Sequence, residues 1–154
     1  MGYITIQTAL SGVIQKITDY DSTNVVDDDY RILSQGKVAR AVVLRRGPSQ
    51  HRKLTMGNPH NVENIWLINA ELFVAQSPTL EDLANQAVVE GQKIVDEVRK
   101  WPQLDSTSGV VTVDIDIFDE PEEGDFGGGR SKSRWWRQIV EVLVVEIVAV
   151  TRSE

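Results

Sequence analysis

WWRQIVEVLVVEIVAV, residues 135–150, is the stretch that decides the fold. Valine and isoleucine fill half of its positions, and its middle is apolar at odd and even positions alike. β-Branched residues favour strands, and a strand that is apolar on both sides is buried on both. We therefore predict a long internal strand, although a short apolar run can also form a helix. A strand this long favours a bend or bulge, which we place near Glu141.

The preceding stretch VVTVDIDIF, residues 110–118, alternates apolar and polar side chains. Such alternation predicts a strand with one buried face and one face in water. Asp114 and Asp116 lie on the wet face, about 7 Å apart along the strand. Paired carboxylates can bind magnesium or act in acid–base chemistry. Because no further ligands lie near them in the sequence, we interpret the pair as solvent-facing.

Two more strands are predicted earlier in the chain. Residues 62–75 contain ENIWLINAELFVA, in which alternate residues are apolar and share a face: Trp66, Ile68, Ala70, Leu72 and Val74. Residues 38–46 are rich in valine and end at Gly47-Pro48, a strong turn signal. Residues 50–57 then read as the returning strand of a long basic hairpin.

Two helices complete the pattern. Residues 4–18 place apolar side chains at helical spacing. Residues 79–100 carry a continuous apolar stripe, begin with Thr79 and Asp82 at a capping-box-like spacing, and are followed by Pro102. Residues 19–36 read as an acidic loop with one helical turn around Tyr30–Ser34.

The predicted class is therefore α+β, with a mostly antiparallel four- to five-stranded sheet and two helices packed on one face. We expect residues 1–154 to form a single domain. Two mobile loops are expected, at about 47–61 and 120–134, because both are polar and rich in turn residues.

Composition narrows the classes of function. The chain has no cysteine and two histidines, His51 and His60, which leaves little material for a thiolate site, a zinc site or a histidine-based triad. The net charge of −7 disfavours a general nucleic-acid binder. Its apolar runs, such as residues 142–145, are far shorter than the roughly 20 residues of a membrane span. We expect no enzymatic activity, no cofactor, no metal and no membrane contact.

Charge is segregated along the chain. Residues 19–29 contain five acids and no base, and residues 40–53 contain five bases and no acid. Residues 114–123 contain six acids, and residues 130–137 contain four bases. Such blocks are usually solvated surface, but in a self-assembling protein opposite blocks can meet across a repeated interface.

GDFGGGRSKSRWWR, residues 124–137, approaches the phosphate-binding pattern G-x-x-x-x-G-K-[ST]. Arg130 stands in place of the lysine, and a strand is predicted where the phosphate-binding helix should begin. Stacking of Trp135 and Trp136 on single-stranded nucleic acid is a further alternative. We interpret the segment as a contact loop.

The whole layout resembles the tail terminator (tail completion) proteins of long-tailed bacteriophages. The resemblance is carried by the opening helix Ile4–Thr18, the basic hairpin Arg45–Lys53, ENIWLINAELFVA, the helix TLEDLANQAVVEGQKIVDEV, and the closing pair VVTVDIDIF and QIVEVLVVEIVAV. It covers nearly the whole chain and rests on topology rather than on a fixed motif.

The resemblance implies a hexameric ring that caps the tail tube and faces a head-side connector. Its partners would be other copies of the chain, the tail tube protein and the head-completion or connector protein. DNA would pass through an acidic lumen without specific binding. The implied location is the neck of the virion, with synthesis in the host cytoplasm.

Opposite charge blocks at 114–123 and 40–53 are plausible halves of the ring contact. The candidate contact residues are Arg45, Arg46, Arg52, Lys53, Asp114, Asp116, Arg130, Lys132, Arg134, Trp135 and Trp136. Two alternatives stay open: another head–tail joining or minor tail protein, and a small cytoplasmic nucleotide-binding module that uses residues 124–131.

Overall fold

A computed structural model describes residues 2–34, 38–57, 59–75, 83–105, 110–124 and 135–150. These residues form two α-helices, five strands and one 3₁₀ helix. In order they are α1 (Tyr3–Ile14), β1 (Val25–Asp27), the 3₁₀ helix (Tyr30–Leu33), β2 (Arg40–Lys53), β3 (His60–Ala75), α2 (Leu83–Arg99), β4 (Val110–Gly124) and β5 (Trp135–Val150).

The described strands form one five-stranded sheet in the order β1-β2-β3-β5-β4. Only β1 and β2 run parallel, and every other neighbouring pair is antiparallel. The sheet is therefore mixed, and the α+β class predicted from the sequence is confirmed. The short strand β1 was not predicted, because three residues within an acidic segment show no periodicity.

Both helices pack on the same face of the sheet, which we call the helix face. Alternate residues of the central strands are buried against them, as the apolar alternation predicts: Trp66, Ile68, Ala70, Leu72, Val140, Val142 and Val144. From α1, Leu10 and Ile14 enter this core, and from α2, Ile94 and Val98. At Gly91 an added Cβ would lie 3.2 Å from Gln138 Cγ, so the glycine lets α2 approach β5 closely.

Among the described residues, the opposite face of the sheet is covered at one end only. There the 3₁₀ helix places Ile32 and Leu33 over Val43 and Phe73, with Trp135 completing the cluster. Phe73 and Trp135 meet edge to face at 6.5 Å between ring centroids, a favourable aromatic geometry. Farther along this face, none of the described elements packs over the sheet.

The predicted turn at Gly47-Pro48 is wrong. β2 continues to Lys53, and β3 is the strand that returns. Gly47 and Pro48 both lie opposite Leu67, since Arg46 pairs with Ile68 and Ser49 with Trp66. Two residues opposite one form a bulge, which tolerates a proline that cannot donate to the ladder. The expected loop at 47–61 is thus reduced to the connection 54–59.

The predicted irregularity near Glu141 is not a bulge. β5 pairs with β3 without a break from Trp135 to Val150. The irregularities lie on the edge strand β4, where residues 119–121 bulge opposite Gln138. Pro121 sits in this bulge, so the internal strand stays regular and its edge neighbour deforms instead. β4 extends to Gly124, and residues 125–134 of the expected loop lie outside the described residues.

Candidate functional site

Of the four basic candidate residues of β2, the three arginines are exposed but already paired within the subunit. Arg45 Nη1 lies 3.5 Å from Glu71 Oε1, and Arg46 Nε lies 3.5 Å from Asp28 Oδ2. Arg52 Nη2 lies 3.3 Å from Glu63 Oε1, and Lys53 is exposed at the end of the strand. Side chains held in this way present their charge in a fixed direction, and exposed pairs of this kind stabilise little by themselves.

The acidic candidate residues Asp114 and Asp116 lie on β4, opposite Leu143 and Glu141 of β5. Both are exposed, whereas Ile115 between them is buried. The predicted strand with one wet face is confirmed. The register of β4 with β5 places the two aspartates on the face of the sheet opposite the helices. No set of three or more potential ligands that could hold a metal ion occurs among the described residues.

The two tryptophans differ in their availability for contacts. Trp135 is 1% exposed, so the prediction that it forms an external contact is wrong: its ring completes the core beneath the 3₁₀ helix. Trp136 is half-buried and packs near Val74 and Ala87. Arg130, Lys132 and Arg134 lie outside the described residues, as does nearly all of the phosphate-loop-like segment 124–131.

Three buried glutamates were missed by reading the sequence. Glu71 accepts a short hydrogen bond from the Tyr30 hydroxyl and lies 3.7 Å from Arg137 Nη1, in addition to its pairing with Arg45. Arg137 in turn contacts Glu122 of β4. This network links five elements, the 3₁₀ helix and strands β2, β3, β4 and β5, across the face opposite the helices. Burial, followed by the hydrogen bond to Glu71, raises the pKa of Tyr30 well above its ordinary value.

Glu90 of α2 is the second buried glutamate. It accepts hydrogen bonds from Tyr20 Oη at 2.7 Å, Lys93 Nζ at 2.8 Å and Arg40 Nη1 at 3.1 Å. Burial acts to raise the pKa of the Glu90 carboxyl, but the hydrogen bonds from Lys93 and Tyr20 outweigh it and the pKa is lowered. The cluster fixes α2 to β2 and to the segment that follows α1.

Glu146 is the third and is fully buried. Its Oε1 accepts from Trp66 Nε1 and Asn64 Nδ2, both at 3.0 Å. Asn64 Oδ1 lies 2.7 Å from His51 Nδ1, and His51 Nε2 lies 3.2 Å from Ser49 Oγ. These hydrogen-bonded polar side chains lie at one end of the helix-face core. The sequence did contain a signal, since Glu146 continues the inward series of Val140, Val142 and Val144.

The two edges of the described sheet carry opposite charge. β1 pairs with β2 only at Val42–Leu44, so the rest of the β2 edge, with Arg45, Arg52 and Lys53, has no neighbouring strand among the described residues. On the other side β4 pairs only with β5, and its outer edge bears Asp114, Asp116 and further acids. Pro48 and Pro121 each interrupt one edge, which limits uncontrolled strand pairing.

Apolar side chains lie between these charged edges on the face opposite the helices. They are half-buried or exposed and occupy neighbouring positions on β3 and β5. We call them the open patch: Ile65, Leu67, Leu143, Val145 and Ile147. Ile147 is 37% exposed.

Comparison with known proteins gives no family for the chain: no protein-family model matches it, and no curated protein shows a significant match. No helix in the described part of the chain is long and apolar enough to cross a membrane. The functional conclusion therefore rests on the surfaces described above.

Proposed function

We propose that the chain is a structural virion protein of the tail-terminator kind, which forms a hexameric ring that caps the tail tube and joins it to the head-side connector. The observation that carries the proposal is the opposite charge of the two sheet edges. An acidic edge and a basic edge on one subunit are two different, complementary patches. Contact between the edge of one copy and the other edge of the next repeats head to tail and can close into a ring.

The bulges define where the edges can meet. Residues 49–53 of β2 and residues 112–118 of β4 are the regular stretches next to the proline-containing bulges. Arg52 and Lys53 fall in the first stretch, and Asp114 and Asp116 in the second. Pairing over a few residues, reinforced by these charges, gives specificity without an unlimited strand ladder.

The placement of the helices supports an orientation for the ring. Because both helices cover one face, a ring with its helices outside turns the other face, with Asp114 and Asp116, toward the lumen. A negatively charged wall repels the phosphate backbone, so DNA would slide past without specific binding. A ring structure with the two aspartates away from its inner wall would contradict this orientation.

Ring formation on tail tubes tests the proposed function. The protein would be mixed with tubes assembled from the tail tube protein encoded in the same genome, and the tube ends would be imaged by electron microscopy. We expect six-fold caps with the wild-type chain, and fewer caps with Asp114→Lys/Asp116→Lys. Asp96→Lys, at an exposed acid of α2, is the matched control and should cap normally. Bare tubes with the wild-type protein would refute the proposal.

A further inference from the structure

We propose that the open patch is the contact surface of a two-fold dimer, in which a second copy of this chain packs face to face on the sheet. The dimer goes beyond the proposed ring and does not rest on it. A two-fold contact uses the same surface on both subunits and closes on itself, whereas the ring contact uses two different edges.

The open patch consists of apolar side chains in matching positions on two neighbouring strands. Ile65 of β3 pairs in register with Val145 of β5, and Leu67 pairs with Leu143. These four side chains form an apolar square on the face opposite the helices, extended by Ile147. The facing strands of sandwich proteins bury such squares against a second sheet about 10 Å away.

Opposite charges lie on β2 and β4, beside the apolar square. One row of the sheet runs from Arg45 on β2 through Asn69 and Glu141 to Asp116 on β4. The side chain of Arg45 is 52% exposed, and Asp116 is exposed. Next to the apolar square, the sheet is therefore basic on its β2 side and acidic on its β4 side.

The charges beside the patch select one two-fold axis. A two-fold axis that runs across the strands would place β2 over β2 of the partner subunit, and like charges would face each other. An axis parallel to the strands places β2 over β4 of the partner subunit. Arg45 then faces Asp116 of the partner subunit, and the same pair forms a second time by symmetry. Complementary charges of this kind fix the register of an interface.

The 3₁₀ helix raises the surface of this face at one end. It stands on the β2 and β3 side of the sheet, beside the concavity lined by Glu120, Glu122 and Ile139 on the β4 and β5 side. The axis parallel to the strands carries the 3₁₀ helix of the partner subunit toward this concavity. Its exposed Arg31 would approach Glu120 and Glu122, so the raised part of one copy meets the recessed part of the other.

The dimer and a ring with its helices outside are mutually exclusive, since the ring turns the open patch toward the lumen. Subunits would therefore be held as pairs until a tail tube favours the ring. A patch of five apolar side chains is small compared with permanent interfaces, so we expect a reversible dimer.

Sedimentation equilibrium tests the surface. We expect the weight-average mass of the wild-type chain to rise from one to two subunits as its concentration increases. Leu143→Lys places a charge in the middle of the patch and should remain monomeric. Val89→Lys makes the same change at an apolar residue of α2 that is 54% exposed and should dimerise like the wild type. Circular dichroism verifies that both variants fold. A monomeric wild-type chain, or a dimeric Leu143→Lys chain, would overturn the proposal.

Cross-linking tests the axis, and the absence of cysteine from the natural chain makes it specific. Ile65→Cys and Val145→Cys chains would be treated with a short bis-maleimide, separately and mixed. The axis parallel to the strands places Ile65 over Val145 of the partner subunit, so covalent dimers should form mainly in the mixture. Dimers that form equally well in each chain alone would contradict this axis.

Loss of tube capping with normal dimerisation would refute the ring and leave the dimer intact.

Discussion

The phenol of Tyr20 donates a 2.7 Å hydrogen bond to Glu90 Oε2 and thereby joins the segment after α1 to the middle of α2, across 70 residues of sequence. Arg40 and Lys93 bind the other oxygen of the same carboxylate. Tyr20 is 3% exposed and Glu90 9%, so water cannot replace either partner easily. One buried carboxylate thus holds together a helix, a loop and a strand.

Glu90→Ala should lower the free energy of unfolding by about 2–4 kcal/mol, because it leaves the buried Tyr20 hydroxyl without its acceptor and removes the shared anion. Denaturant unfolding followed by circular dichroism measures the change. Asp96→Ala removes an exposed acid from the same helix and should change stability by no more than about 0.5 kcal/mol. Equal losses in the two variants would show that the Glu90 cluster has no special role.

The Glu90 cluster should also produce a pH dependence. Its carboxyl has a pKa below the ordinary value of 4.5 in the folded chain. A lowered pKa contributes stability that is fully present above the unfolded value and is lost as the pH falls through the folded one. The stability difference between the wild type and Glu90→Gln should therefore be constant above pH 4.5 and shrink below it. A difference that grows on acidification would contradict the direction of this shift.

Trp135 should behave as a core residue. Trp135→Ala is expected to lower stability by about 3–5 kcal/mol, since it empties the space between Phe73 and the 3₁₀ helix. Trp135→Phe should cost much less, because it keeps an aromatic ring and removes an indole Nε1 that is buried with no hydrogen-bond partner among the described residues. Thermal unfolding of both variants compares the two effects. An external role for Trp135 would instead leave the stability of Trp135→Ala close to that of the wild type.

The close packing of Leu67 against the β2 bulge should require a glycine at position 47. A Cβ at position 47 would lie 2.8 Å from both Cγ and Cδ2 of Leu67. We expect Gly47→Ala to cost about 1–3 kcal/mol, and Gly47→Ala/Leu67→Ala to be more stable than the sum of the single changes predicts. Gly12→Ala, where an added Cβ meets nothing within 4 Å, is the control and should not destabilise α1. Strict additivity at positions 47 and 67 would exclude the close contact.

Periodicity predicted much of the architecture. The bounds of β5 and the inward residues of β3 follow from alternation of apolar residues, and α2 follows from its apolar stripe. Both signals are local, because each residue's side of a strand or helix is set by its distance from its neighbours in the chain. Gly47-Pro48 failed as a turn signal for the same reason: a bulge and a turn use the same residue types, and only the pairing of β2 with β3 distinguishes them.

The candidate surfaces were predicted in part. The exposed aspartates of β4 and the basic residues of β2 were identified from charge blocks, which depend on composition alone. The open patch and the opposite charge of the two edges were not predicted from the sequence. They depend on the strand order β1-β2-β3-β5-β4, which places the last strand inside the sheet and makes β4 an edge.

The sequence by itself determined the α+β class, the elements with strong periodicity and the segregation of charge, all of which are encoded over short distances along the chain. The tertiary structure decided which charged residues are buried, where the bulges lie, and which face of the sheet stays open. Glu146 shows the physical reason: one of its carboxyl oxygens accepts a hydrogen bond from Trp66, which lies 80 residues away in sequence and 3.0 Å away in space. Burying a polar group costs free energy unless it is hydrogen-bonded, and its hydrogen-bond donors are brought to it by folding.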